Sequence, residues 1–219
     1  MVTATEQLVS DSPQKRIAGV YALAEISDTY RGEYKQRVVD ILCGYLRTDR
    51  HGEHTQKFIE RLEPGQSDEK PAGACHARLI SPDAVVESTI FRVMRERLLR
   101  NRISVNEDLA NTDKNLDNIQ VKNTDQLWCD CAFDLQGAVL VENLNLSQVS
   151  FDSNVNFDDV YFPSRSNFSH SVFSGTVSFL RARFDVAKFE RASFDEVSFR
   201  KQPSLAYIIF VNGGSSGNT

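Results

Sequence analysis

The stretch RFDVAKFERASFDEVSFR, residues 183–200, places phenylalanine at Phe184, Phe189, Phe194 and Phe199. A step of five suits neither regular element. At about 100° per residue a helix would turn each ring by about 140° from the last, and in a strand an odd step alternates faces. The spacing makes sense if each pentad forms one short side of a four-sided coil, so that every central ring points to a shared axis. Carried upstream, the register gives centres at Leu135, Leu140, Leu146, Phe151, Phe157, Phe162, Phe168, Phe173 and Phe179. The residue two before a centre is usually small or β-branched, as at Ala138, Val149, Val155, Val160, Val177, Ala182, Ala187, Ala192 and Val197. Both positions should face inward, leaving the other three outside.

Four steps are six residues long: Leu140 to Leu146, Phe151 to Phe157, Phe162 to Phe168 and Phe173 to Phe179. They fall at the same two opposite corners of a four-sided coil. Ser153-Asn154, Pro163-Ser164 and Ser174-Gly175 occupy three of them, and these residue types predict turns there. The register also predicts four columns: Leu135 with Phe157, Phe179 and Phe199; Leu140 with Phe162 and Phe184; Leu146 with Phe168 and Phe189; Phe151 with Phe173 and Phe194.

On the pattern of AKFER, ASFDE and ARFDV, the chain resembles the pentapeptide-repeat proteins over about residues 128–200. The resemblance implies a right-handed quadrilateral β-helix. With the helices that precede it, the expected class is α+β. Such members include proteins that protect type II topoisomerases by mimicking DNA, so gyrase binding is one implied function. At a strand spacing of about 4.8 Å, the thirteen centres make a rod of only roughly 15 Å. Between Phe133 and Arg200 nine acidic side chains face six basic ones, which is weak charge for a DNA mimic.

Residues 1–47 read as a helical hairpin, similar to a HEAT-type unit, with Ile17, Val20, Leu23, Ala24 and Ile26 on one helix and Val38, Ile41, Leu42, Tyr45 and Leu46 on the next. Residues 48–80 are polar and rich in charge, Gly and Pro, as in a flexible loop, with room for a short helix over 56–62. Residues 81–127 hold a helix and a connector. There Ser81 suits the N-cap and Pro82 the first turn, with Val86, Ile90 and Val93 on the buried line. The region 128–200 is the repeat, and 201–219 a strand with a disordered tail. A short solenoid needs capping; the N-terminal helices are expected to cover the coil that begins near Trp128. At the other end LAYIIFVN, an apolar strand without its own repeat, caps the last coil, pairs with a second copy as a homodimer, or stays exposed.

The net charge of −5 gives no general pull toward nucleic acid or anionic membrane. No apolar run approaches the roughly 20 residues of a membrane span, and the first residues lack a signal-peptide layout. A cytoplasmic location with reduced thiols is expected; a membrane-associated scaffold without a span is an alternative. Cys129, Cys131, Cys75, His76, His51 and His54 do not have the spacing of a zinc module. The arginines Arg92, Arg95, Arg97, Arg100 and Arg102 spread around their helix and read as a solvated end. Asn145-Leu-Ser147 and Asn167-Phe-Ser169 match glycosylation acceptors by coincidence in a cytoplasmic chain. Asp158-Asp159 are adjacent acids, but adjacency on a β-coil does not make them converge. No nucleophile elbow, phosphate loop or dinucleotide fingerprint is present.

The expectation is therefore a non-catalytic scaffold with no cofactor or metal and another protein as partner. The candidate surface comprises Val139, Val141 and Tyr161 on an apolar side, which either the chain's own helices or a partner should cover. It further includes the outward charges Arg183, Asp185, Lys188 and Glu190.

Overall fold

The computed structural model describes residues 1–50, 81, 83–99, 126–162, 165–184, 186–199 and 207–209, with the backbone alone at 199 and 207–209. The expectations for the 51–80 loop and its short helix, Cys75, His76, His51, His54, Pro82, Arg100, Arg102, Pro163-Ser164, Asp185 and the rest of the C-terminal segment lie outside the described residues.

Among the described residues the chain is a mixed α+β protein, with four helices followed by short parallel strands. The N-terminal part holds three helices rather than a simple hairpin: α1 (Val2–Leu8), α2 (Pro13–Tyr30) and α3 (Glu33–Arg47). Pro13 opens α2, where its missing N–H costs nothing. Arg31 and Gly32 both take positive φ and reverse the chain into α3. Helix α1 can lie close on α2 because Gly19 carries no Cβ; one built there would sit 2.8 Å from the Ala4 carbonyl oxygen and the Leu8 nitrogen. On α3 the buried residues Lys35, Val38, Val39, Leu42, Cys43 and Leu46 form one stripe.

The fourth helix, α4 (Ala84–Leu98), buries the expected Val86, Ile90 and Val93. Ser81 acts one step earlier than expected: its Oγ accepts from the Asp83 N–H at 3.1 Å, before the helix begins. No helix among the described residues is long and apolar enough to cross a membrane.

The strands are β1 (Phe133–Asp134), β2 (Leu144–Asn145), β3 (Ser150–Phe151), β4 (Val155–Asn156), β5 (Tyr161–Phe162), β6 (Ser166–Asn167), β7 (Val172–Phe179), β8 (Arg183–Phe184), β9 (Val186–Lys188), β10 (Ser193–Phe199) and β11 (Tyr207–Ile209). All pair in parallel, in three sheets ordered β1-β4-β7-β10 with β3 also on β7, β11-β9-β6-β2, and β5-β8. The register matches the columns read from the period. Phe151 is level with Phe173 and Phe173 with Phe194, Phe162 with Phe184, and Phe179 with Phe199.

The rings show why this arrangement packs. Within a column they lie nearly parallel: Phe151 on Phe173 at 5.0 Å, Phe157 on Phe179 at 5.0 Å, Phe162 on Phe184 at 4.5 Å, Phe168 on Phe189 at 4.9 Å and Phe173 on Phe194 at 4.9 Å. Between columns they meet edge to face, as Phe168 does with Phe162 and Phe179 at interplanar angles of 81° and 82°. Offset stacking and edge contacts are the two arrangements that the ring quadrupole favours.

The turns match expectation only in part: Ser153 lies at a bend between β3 and β4, as expected, but the other described turns differ. Ser174-Gly175 lies inside the eight-residue strand β7. Sharp reversals occur instead two residues past alternate centres, where Gly137, Gln148, Asp159, His170, Arg181 and Arg191 take φ between 54° and 72°. Side chains set these up: Asp134, Asn145, Asn156 and Asn167 each accept the backbone N–H two residues on, at 2.9–3.2 Å. That Asx bond offers the chain a local turn.

The extra residue of a six-step is absorbed as a bulge: Phe194 pairs with Phe173 but Glu196 with Thr176. Gly175 sits at this irregularity, and a Cβ there would fall 2.4 Å from the Ser153 carbonyl oxygen. Gly175→Ala should therefore cost about 1 to 3 kcal/mol through forced backbone movement. Urea unfolding reads this directly, and exposed Ser174→Ala should leave the midpoint unchanged; equal midpoints for wild type and the Gly175 variant would contradict the close approach.

Tyr207–Ile209, the described part of LAYIIFVN, does have a register. Ile208 pairs with Ala187 and Ile209 with Lys188, so the described part of this segment extends the sheet of β9 rather than standing apart.

Candidate functional site

The side chains that bring distant parts of the chain together lie along α3 and α4, where the helices meet the first strands. Gln36 completes a reciprocal pair with Ala132: its Nε2 donates to the Ala132 carbonyl at 2.9 Å, and its Oε1 accepts the Ala132 N–H at 2.8 Å. A helix side chain thereby satisfies the backbone that precedes β1. One residue earlier, Lys35 is buried and donates to the Leu127 carbonyl at 3.0 Å and to Asp130 at 2.8 Å. Farther along, Arg47 pairs with Asp134 at 2.5 Å.

Trp128 is wholly buried between α2 and α4, its indole N–H donating to Ser27 Oγ at 3.2 Å and its backbone N–H to the Arg97 carbonyl at 2.9 Å. Arg97 corrects the reading of a solvated helix end. It is 8% exposed, holds Asp28 through Nε and Nη2 at 3.0 and 2.6 Å, and lies 5.2 Å from the Trp128 ring. Arg92 bonds Tyr21, and Arg95 reaches the Ser147 carbonyl at 3.4 Å.

The densest cluster centres on Arg50, which the sequence places at the start of a polar loop. Its side chain is 3% exposed. Nη1 meets Asp83 at 2.6 Å, while Nη2 meets Glu87 at 2.9 Å and the Val139 carbonyl at 3.1 Å. The other Glu87 oxygen accepts the N–H groups of Val141 and Glu142, both at 2.8 Å. Tyr45 donates to Asp83 at 2.5 Å and Arg16 lies 3.3 Å from the same oxygen. Two arginines thus face two buried carboxylates, so the charges match. Burial pushes the Glu87 carboxyl above its ordinary range, against the opposing pull of Arg50 and the two amides. Burial and the neighbouring Asp83 likewise raise the Tyr45 phenol. The Nε atoms of Arg16 and Arg50 are buried and, among the described residues, have no hydrogen-bond partner.

This junction decides the fate of the apolar side. Val141 and Tyr161 are buried and Val139 half-buried, and the contacts to Val139, Val141 and Glu142 come from Arg50 and Glu87 of the same chain. These three are therefore not open surface. Of the outward charges, Lys188 and Glu190 are exposed and Arg183 half-buried.

The remaining sequence candidates are structural in their surroundings. Asp158 accepts from Ser178 Oγ at 2.5 Å and the Leu180 N–H at 2.8 Å. Asp159 forms a two-point pair with Arg181 at 2.6 Å, which holds its carboxyl below the usual range. Cys43, Cys129 and Cys131 are buried free thiols, and burial pushes Cys43 and Cys131 up to about 12, far from thiolate formation at neutral pH. Among the described residues no group of three or more His, Cys, Asp or Glu side chains could hold a metal ion.

Nothing in the sequence singled out Asp83, Glu87 or Arg50 as a unit. The available signal was Asp83 at the start of α4 and Glu87 four residues later, next to the apolar Val86, Ile90 and Phe91. No family model matches the chain, and neither the curated proteins nor the solved structures contain a match.

Proposed function

We propose that the chain is a non-catalytic protein-interaction scaffold, built as a right-handed four-sided β-solenoid of the pentapeptide-repeat type and closed at its first coil by α3 and α4. The observation that supports it best is the set of four ring columns in parallel register, because such a stack cannot flex without breaking many contacts at once. A rigid wall suits recognition by shape and fixed charge, with little ordering cost on binding. Lys188 ends β9 and Glu190 lies in the turn that follows, both exposed and one residue to either side of the inward Phe189. The charge-matched junction at Arg50 belongs to the frame that carries this wall. Action as a DNA mimic on a type II topoisomerase has less support, since Asp134 and Asp159 are tied to Arg47 and Arg181.

The test is capture of partners from the native cell by the intact protein and by a Lys188→Glu/Glu190→Lys variant. Both positions are exposed, so stability should change by less than about 0.5 kcal/mol. A specific protein retained by the wild type and lost by the variant is the expected result. Identical capture by both, or turnover of a small molecule by the purified chain, would sink this reading.

A further inference from the structure

Four aromatic rings in or against the helices each carry an arginine. Arg37 lies over Tyr34 at 5.4 Å, Arg50 over Tyr45 at 5.7 Å, Arg92 over Tyr21 at 5.8 Å and Arg97 over Trp128 at 5.2 Å. In three of these a carboxylate holds the same guanidinium: Glu33 meets Arg37 at 3.1 Å, Asp83 meets Arg50 at 2.6 Å and Asp28 meets Arg97 at 2.6 Å. The ring face attracts the cation and the carboxylate pairs with its N–H groups, so ring and acid together hold a guanidinium.

Tyr30, the last residue of α2, departs from this pattern. It stacks on Tyr34 with centroids 5.2 Å apart, is 65% exposed, and has no cation over it among the described residues. Its ring lines an open groove of about 410 Å³ between α1 and α2. That size lies within the roughly 300 to 1,000 Å³ of ordinary binding clefts. Ala22 and Ile26, one turn apart in the row that leads to Tyr30, give the groove an apolar wall. Glu25 lines it as well and is exposed, with no ion pair among the described residues. No Lys, Arg or His is among the residues that line the groove, so the charge of Glu25 is not balanced within it.

We propose that the groove between α1 and α2 receives an arginine of a partner protein. Its guanidinium takes the exposed face of Tyr30 and the carboxylate of Glu25, and an apolar neighbour in the partner's chain packs on Ala22 and Ile26. Arginine fits better than lysine, because a planar fork can stack on a ring and pair with a carboxylate, whereas an ammonium is a compact, strongly hydrated charge. The inference rests on the scaffold reading and adds a docking place on the helices to the one at Lys188 and Glu190.

The test titrates the isotope-labelled full chain with three short peptides, followed by two-dimensional NMR. One peptide has an arginine between two leucines, the second a lysine there, and the third citrulline, the neutral isostere of arginine. The arginine peptide should shift the amides of Glu25, Thr29 and Tyr30, with the other two binding at least about tenfold more weakly. Glu25→Gln and Tyr30→Ala, both at exposed positions, should each weaken the arginine peptide several-fold while keeping the wild-type circular dichroism spectrum. Tyr30→Phe, which keeps the ring face, should bind as the wild type does. Equal binding of the lysine peptide would reduce the effect to charge attraction and overturn the arginine site, as would undiminished binding in Glu25→Gln. Free arginine binding as tightly as the peptide would give the groove to a small molecule and overturn the proposal. So would wild-type self-association in sedimentation that Glu25→Gln abolishes, which would give the groove to a second copy. No shift with any peptide, with a native partner still lost through Lys188→Glu/Glu190→Lys, would overturn the groove and leave the scaffold standing.

Discussion

Phe168→Ala is expected to destabilise the protein by about 3 to 5 kcal/mol, the range for removing a large buried ring. Phe168 is fully buried and central. It stacks on Phe189 at 4.9 Å and meets Phe157, Phe162 and Phe179 edge to face at 5.9–6.0 Å. Deleting it removes both apolar burial and ring pairing, and the surrounding backbone, held by parallel strands on either side, has little freedom to collapse into the space. Lys188→Ala, on the exposed side of the neighbouring strand, should change stability by less than about 0.5 kcal/mol. Denaturant unfolding of the pair gives the comparison. Similar losses from the two would mean that the inward and outward positions have been exchanged.

The second large effect is expected at Glu87. Glu87→Leu should cost about 3 to 5 kcal/mol, because breaking a buried ion pair leaves its partner charge uncompensated. Here the loss is threefold in kind: among the described residues Arg50 keeps only Asp83 as counter-charge, and the N–H groups of Val141 and Glu142 lose Glu87 as acceptor. The two amides give a local readout, since their hydrogen exchange should accelerate more than that of amides in β7. Wild-type stability in the variant would show that the junction contributes orientation without net energy. A double-mutant cycle with Arg50→Met then separates the pair from its surroundings: strong coupling is expected, because the two side chains share one buried cluster.

The ring columns were legible in the sequence because they depend on side-chain direction alone. Phe184, Phe189 and Phe194 each follow a small inward residue by two positions, and that pattern survives whatever else the chain packs against. The turns were less legible. Positive φ at Gln148, Asp159, His170, Arg181 and Arg191 has no glycine to announce it, and the serine, proline and glycine residues at the six-steps drew attention elsewhere. The better signal was Asp134, Asn145, Asn156 and Asn167, evenly spaced and each one residue before a centre, where a short polar side chain can bond the backbone two residues on. The segment around Ile208 was hidden for a related reason, since one pentad separated from the others shows no period.

By itself, then, the sequence determined the helical start, the five-residue period and the level at which each phenylalanine meets the next. These follow from local preferences repeated many times, so errors at single positions average out. Only the tertiary structure decided which charged residues are interior. Arg50 is in a polar run, and Asp83, Glu87 and Arg97 sit on or beside a helix that carries exposed charges as well. A buried charge is stable only beside its counter-charge, and the partners of Arg50 come from α4 and from the strand layer beyond it. Such a requirement is met in space, by residues far apart in the chain, and leaves no periodic trace along it.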